Sequence, residues 1–222
     1  MRNARILLVL LFCIAGTLGG RALAKAPAGG PGKKGWISLF NGKDLAGWHL
    51  RNPKGPNGWK VVHGVYVNTK PSTDIQTDDE YYDFLLHVDF KVSDGSGNSG
   101  VYLRDKYEVQ IFNSYGQPPE DGGCGALYKR IAPAVNASKP AGQWQTYDIT
   151  FIGRRLTVLQ NGQKVLDNVD VGPTGTGAAG KRPDGPGPLR LQGDHDSVSF
   201  RSVRIRALSK AEAEKIQQQS KS

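Results

Sequence analysis

Hydrophobic and polar residues alternate along most of the chain, and this pattern predicts strands rather than helices. In residues 147–151, for example, every second residue is large and apolar. A period of two is typical of a strand with one buried face. No amphipathic helix separates the alternating segments, so the pattern indicates an all-β sandwich and not a βαβ fold. Further strands are predicted within residues 61–67, 85–92, 156–159 and 189–192.

Three signals predict how these strands are connected. Asn161-Gly162 lies between two alternating runs and predicts a hairpin, because both residues tolerate positive φ. In residues 197–208 the apolar positions change from even to odd numbers near Arg201, which predicts a β-bulge. Residues 172–188 form a long loop almost without apolar side chains, typical of either a disordered segment or a functional lid.

The two ends of the chain differ from this β-rich middle. A basic start, a short apolar run and an Ala-Leu-Ala end predict a secretory signal peptide cleaved after Ala24. The protein is therefore expected to be secreted or periplasmic, without stable membrane insertion, since the apolar run is too short for a spanning helix. The predicted organisation is a signal peptide (1–24), a flexible leader (25–35), a sandwich domain (36–208) and a polar tail or short helix (209–222).

Charge and cysteine content narrow the classes of partner and cofactor. The formal net charge of +9 falls to +6 if Arg2, Arg5 and Arg21 leave with the signal peptide. No Lys/Arg run is interleaved with aromatic residues, so nucleic acid is not an expected partner. Only Cys124 would remain after processing, which excludes an internal disulfide in the mature chain.

A glycine pattern near the middle of the chain has the spacing of a dinucleotide-binding loop. Gly95, Gly97 and Gly100 match G-x-G-x-x-G. Such a loop needs a helix after it, whose N-terminus holds the pyrophosphate. The residues that follow, Val-Tyr-Leu-Arg, are strand-like instead, so we expect no nucleotide here.

Two neighbouring strand-like segments follow these glycines and carry polar residues at alternate positions. We expect a three-residue loop that pairs Arg104 with Glu108 and Tyr102 with Gln110, because this register keeps the apolar side chains on one face. The opposite face would then display all four polar residues together. This face is either a solvated sheet with a surface salt bridge or a surface that binds carbohydrate.

Seven segments in order make the sequence similar to a known family. They are LFNGKDLAGW (39–48), NSGVYLR (98–104), YEVQI (107–111), GALY (125–128), AGQWQTYDI (141–149), NGQKV (161–165) and GPLRLQGDHDSVSFRSVRI (187–205). Together they resemble the 3-keto-disaccharide hydrolase domain, over about residues 35–208. The resemblance implies a concanavalin A-like jelly-roll of two antiparallel sheets, as in laminarinase-type glucanases and many lectins. It also implies an exported carbohydrate-active protein, some of whose relatives cleave glycosides oxidised to a ketone at C3.

The chain departs from the glucanase pattern at its acidic residues. Where a laminarinase-type strand has E-x-D-x-x-E, this sequence has Glu108, Gln110 and Asn113. A retaining glycosidase needs two carboxyl groups about 5 Å apart, which this strand cannot supply. Elimination from a 3-keto sugar needs only one base, one acid for the departing oxygen and donors around the enolate.

The residue types then suggest roles in such a site. We expect Glu108 to act as the base and His195 as an acid or base, because its ordinary pKa of about 6.5 suits both. Arg104 is a candidate donor to the enolate oxygen. The sugar-binding candidates are Asn98, Tyr102, Arg104, Gln110, Tyr128 and Gln192.

Alternatives remain open at this point. No cofactor is expected, although the cluster Asp194, His195 and Asp196 is an alternative site for a divalent cation. A non-catalytic carbohydrate-binding module using the same face is the main alternative function, and an ordinary endo-glucanase is a third.

Overall fold

The structure is a computed structural model and describes residues 35–93, 95–176 and 183–220. The predicted signal peptide, almost all of the predicted leader and residues 177–182 of the long loop lie outside the described residues.

Two antiparallel sheets face each other across one core. The described residues form β1 (Ile37–Ser38), β2 (Trp48–Leu50), β3 (Trp59–Val62), β4 (Val65–Asn68), β5 (Ile75–Tyr81), β6 (Phe84–Val92), β7 (Ser99–Leu103), β8 (Tyr107–Ile111), β9 (Gln145–Ile152), β10 (Arg155–Gln160), β11 (Gln163–Asp170), β12 (Gly187–Leu191), β13 (Val198–Ala207) and α1 (Lys210–Gln219). The larger sheet has the order β11-β10-β9-β6-β13-β4-β3, with β1 beside β13. The smaller has the order β2-β5-β12-β7-β8. The predicted all-β sandwich is confirmed.

Alternating burial explains why these segments form a sandwich. In β6 every second residue, from Phe84 to Val92, is buried, and the residues between them are only half-buried. Phe151 packs edge-on against Phe84 of its own sheet, at a centroid distance of 5.9 Å, and against Tyr107 of the smaller sheet, at 5.6 Å. The core therefore lies between the sheets, and the outer face of each sheet is free to carry polar groups.

The predicted hairpin and the predicted β-bulge are confirmed, whereas one predicted strand is interrupted by a turn. Asn161 and Gly162 have φ values of 52° and 81° and connect β10 to β11 as a hairpin. The register of β13 against β6 shifts between Phe200 and Ser202, which confirms the β-bulge. The single strand expected in residues 61–67 is wrong, because His63 and Gly64, also at positive φ, turn the chain between β3 and β4.

The predicted register of the β7–β8 hairpin is also wrong. Tyr102 pairs with Glu108, and the loop consists of residues 104–106. Arg104 and Asp105 have φ values of 56° and 50° and form the tight turn that permits this pairing. The observed register differs from the expected one by two residues, and a shift of two leaves every side chain on the same face. Burial of the apolar face therefore does not distinguish the two registers.

The C-terminal segment forms the helix that was one of its two expected states. Ser209 and Glu212 form a capping box at the start of α1, and Ala213 is buried beneath it. Arg206 Nη1 lies 2.7 Å from Glu212 Oε1, which joins the helix to β13. Within the part of the chain that the structure describes, no helix is long and apolar enough to span a bilayer.

Candidate functional site

One row of polar side chains crosses the outer face of the smaller sheet. The row contains one residue from each strand, in the order His49, Gln76, Arg190, Tyr102 and Glu108. Directly paired residues in adjacent strands point to the same side of a sheet, so all five belong to one face. The row ends at β8, where Glu108 lies beside Gln110 at the next outward position.

The Glu108 carboxylate is seated over a glycine. A Cβ placed on Gly100 would lie only 2.4 Å from Glu108 Oε1, so the carboxylate fills the space that a side chain at Gly100 would need. Glu108 is only 2% exposed. The Gln110 amide, oriented so that both its ends are satisfied, donates to Glu108 Oε1 at 3.2 Å and to the Ser99 carbonyl at 3.0 Å.

Burial changes the acidity of this carboxyl group. It raises the pKa of Glu108 to about 7, because the charged form loses its hydration. A hydrogen bond from Tyr102 and the charges of Arg190 and His195 act in the opposite direction, while the charge of Asp74 adds to the rise. A carboxyl group with a pKa near neutrality is suited to general acid or base catalysis at neutral pH.

Arg190 is a central member of the site that the sequence analysis missed. Its side chain is 2% exposed and its guanidinium lies 3.4 Å from the centre of the Tyr102 ring. Nη1 is 2.7 Å from Asp74 Oδ2, and Nε is 2.7 Å from Asp105 Oδ1. The available signal was one charged residue between Leu189 and Leu191, at the outward position of a buried strand.

Gln192 and His195 follow β12 and approach the same face. The Gln192 backbone N–H donates to the Gly100 carbonyl at 3.0 Å, and its Nε2 lies 3.5 Å from the Tyr102 hydroxyl. His195 is exposed, with Nδ1 2.5 Å from Asp194 Oδ1, and its charge acts on Glu108. The structure thus brings Glu108, Tyr102 and Gln192 together and places His195 within electrostatic range of Glu108.

The Asp194–Asp196 cluster does not gather its carboxylates around one point. Asp196 accepts hydrogen bonds from Lys70 Nζ at 2.8 Å, from the Asn98 N–H at 3.0 Å and from the Ser96 hydroxyl. These donors lower the pKa of Asp196 to about 2. Asp196 therefore connects residues 95–98 to the loop that follows β12. Among the described residues no group of three or more His, Cys, Asp or Glu side chains is arranged to hold a metal ion.

A cavity of about 520 Å³ lies beside the carboxylate. Glu108 and His195 are not part of its lining, but Gln110, whose amide bonds Glu108, is. This volume falls within the range of small-molecule sites. The lining includes three of the predicted sugar-binding residues together with aromatic and charged side chains: Asn98, Gln110, Tyr128, Phe112, Glu120 and Lys129.

Arg104 lies elsewhere, contrary to the expected pairing with Glu108. Its guanidinium packs between the rings of Tyr82 and Phe151, at 4.1 and 4.0 Å. Nε donates to the Tyr82 carbonyl at 2.7 Å and Nη1 to the Gly153 carbonyl at 2.8 Å. The turn conformation removes Arg104 from the strand and directs its side chain to the larger sheet.

The sandwich and its polar outer face define a concanavalin A-like β-sandwich, and comparisons with known proteins give its family and a carbohydrate-active function. The 3-keto-alpha-glucoside-1,2-lyase-like domain matches residues 35–206. The chain belongs to this family, which confirms the resemblance seen in the sequence. A search of curated protein sequences found no match.

Solved structures support the same fold. A provisionally assigned glycosyl hydrolase from Parabacteroides distasonis ATCC 8503 is 33% identical with a TM-score of 0.67, over 78% of this chain and 84% of the other. A second such protein from that organism is 26% identical with a TM-score of 0.66, over 79% and 94%. A Bacillus licheniformis beta-glucanase, 13% identical over 80% of this chain and 100% of its own with a TM-score of 0.52, shares the fold.

Proposed function

We propose that the protein cleaves glycosides that carry a ketone at C3, by general acid–base elimination on the outer face of the smaller sheet. The observation that carries this proposal is the buried Glu108 carboxyl group, whose pKa is raised to about 7 beside a cavity lined with amides and aromatic rings. Family membership supports the substrate class.

Glu108 is the proposed base. The C3 ketone acidifies the proton on C2, and the carboxylate removes that proton to give an enolate. The enolate expels the oxygen on C1, which leaves as a hydroxyl group after taking a proton, and a C1=C2 double bond forms. Water can then add at C1, so that the net reaction is hydrolysis. A single carboxylate is sufficient for this route, whereas a double-displacement glycosidase needs two.

Neighbouring groups supply the acid for the departing oxygen and the hydrogen-bond donors for the enolate oxygen. His195, held by Asp194, is exposed and is the proposed acid for the departing oxygen. The enolate oxygen needs donors, and the Tyr102 hydroxyl and the Gln110 amide lie next to the carboxylate, whereas Arg104 does not.

The cavity is the proposed binding site for the sugar. Asn98 and Gln110 provide amides that bind hydroxyl groups, and Tyr128 provides a ring on which a pyranose can stack. Because Glu108 lies just outside the lining, we propose that the sugar displaces the Gln110 amide to reach the carboxylate.

The decisive experiment compares a 3-keto disaccharide with the same disaccharide before oxidation. We expect free sugar or a conjugated enone from the 3-keto compound alone. Glu108→Gln should reduce turnover by at least about 10²-fold, the usual contribution of a general base. The matched control is Glu214→Gln on α1, an exposed carboxylate that should leave turnover unchanged. Full activity in the Glu108→Gln protein would remove Glu108 from the mechanism.

The alternative of a carbohydrate-binding module is favoured by one observation, the near-complete burial of Glu108 and its absence from the cavity lining. A module would bind the sugar, as measured by calorimetry, without releasing product. Binding that is equal for wild type and Glu108→Gln, with no turnover in either, would support the module and contradict the enzyme.

A further inference from the structure

Three buried side chains form a continuous path across the smaller sheet to the Glu108 carboxylate. Asp74 precedes β5 and is paired with Arg190 Nη1 at 2.7 Å. The Arg190 guanidinium lies flat on Tyr102, at 3.4 Å from the ring centre. Tyr102 is 3% exposed and its hydroxyl lies beside Glu108, its partner in the strand register. Each member therefore restrains the next.

We propose that Arg190 is a positioning residue that holds the Tyr102 hydroxyl against the Glu108 carboxylate, and that Asp74 orients Arg190 for this role. Stacking fixes the plane of the phenol ring, because a planar guanidinium covers an aromatic face in one orientation. The ion pair to Asp74 fixes the guanidinium along the strand. The link to turnover rests on the proposed function, whereas the link to the acidity of Glu108 does not.

A purely structural role explains this arrangement poorly. A buried ion pair stabilises a fold little more than apolar residues of the same volume would, because both charges lose their hydration. Arg190 also leaves Nη2 buried without a hydrogen-bond partner among the described residues. The ion pairs with Asp74 and Asp105 offset part of this cost, because they neutralise the buried charge. Its location in the row that ends at Glu108 provides a reason for keeping it.

The charges that face Glu108 come from four elements. They are Tyr102 on β7, Arg190 on β12, His195 after β12 and Asp74 before β5. Through charge alone, removal of the Arg190 cation would raise the pKa of Glu108 and removal of the Asp74 anion would lower it. If both residues position Tyr102, each variant also loses the Tyr102 hydrogen bond, which lowers the pKa of Glu108 more strongly than the Asp74 charge raises it. Arg190→Gln and Asp74→Asn should therefore both raise the pKa of Glu108.

The test is a carboxyl ¹³C NMR titration of the whole protein labelled at glutamate, in which Glu108→Gln identifies the signal of Glu108. For Arg190→Gln we expect the pKa of Glu108 to rise by about one unit, the effect typical of a nearby opposite charge. Asp74→Asn should also give a rise, and it keeps an oxygen to accept the Gly193 N–H, which now bonds Asp74 Oδ1 at 2.9 Å. Arg104→Gln is the matched control, because it removes another buried arginine, from the turn between β7 and β8, and should leave the pKa of Glu108 unchanged.

Arg190→Lys separates charge from stacking and provides a second variant should Arg190→Gln fail to fold. It keeps the positive charge but not the planar contact, so kcat should fall and the acid limb of the pH profile should move to higher pH, because the Tyr102 hydrogen bond that lowers the pKa of Glu108 is lost. A fall of the Glu108 pKa in Asp74→Asn, or wild-type kcat in Arg190→Lys, would overturn the proposal. A raised Glu108 pKa in both Arg190→Gln and Asp74→Asn, in a protein without turnover, would leave it standing and refute the proposed function instead.

Discussion

At the residue scale, the site depends on a position that has no side chain. Gly100 has an ordinary φ, so its backbone would accept another residue, and the constraint comes from Glu108 Oε1. The carboxylate occupies the volume above Gly100 and is excluded from water there. The glycine that completes the G-x-G-x-x-G pattern thus makes room for an acid rather than for a phosphate.

Gly100→Ala tests this arrangement. The added methyl group would displace the carboxylate by about 1 Å or more, and a displacement of that size typically reduces turnover about 10²-fold. We expect wild-type circular dichroism and a strong loss of kcat/KM.

Combining Gly100→Ala with Glu108→Asp provides the control. The shorter side chain relieves the clash, so the two losses should not add in a double-mutant cycle. Fully additive effects would show that the two residues act independently.

At the element scale, the β7–β8 hairpin shows which features the sequence determines. Alternation correctly placed Tyr102, Glu108 and Gln110 on one outward face, because that face depends only on odd or even position. Register depends on the turn, and the left-handed conformation of Arg104 is not typical of an arginine. Arg190 was missed for a related reason, since its neighbour Tyr102 lies about 90 residues away in the chain and only the strand order brings them together.

Arg104 is expected to stabilise the hairpin and not to take part in the chemistry. Arg104→Lys keeps the charge but loses the stacked contacts and one carbonyl bond, which should reduce the free energy of unfolding by about 2 kcal/mol. Urea denaturation measures this loss. An unchanged free energy of unfolding together with altered turnover would show that Arg104 takes part in the chemistry of the site.

At the scale of the whole molecule, the acidity of Glu108 links the site to stability. Its folded pKa, about 7, is above the ordinary value of 4.5, so the folded state binds this proton more tightly than the unfolded state does. Its contribution is therefore fully present below pH 4.5 and is lost as the pH rises through 7. The shift of about 2.5 units corresponds to a loss on the order of 3 kcal/mol.

Glu108→Gln should remove this loss of folding stability at high pH, because glutamine does not titrate. We expect the variant to become progressively more stable than wild type between pH 4.5 and 8, when the free energies of unfolding are compared by urea titration at each pH. Asp196→Asn serves as a contrast, because a pKa lowered to about 2 contributes stability that is lost only as the pH falls below about 3.8. Parallel pH profiles for wild type and Glu108→Gln would mean that Glu108 titrates normally.

The last two strands of the chain occupy the middle of the two sheets. β12 lies between β5 and β7, and β13 lies between β6 and β4. During synthesis, neither sheet can therefore close until β12 and β13 have left the ribosome, since β5, β7, β6 and β4 each lack one of their two neighbours until then. A nascent or truncated chain that stops before β12 would expose four unpaired strand edges, two in each layer, which makes premature termination a route to aggregation rather than to a smaller functional protein.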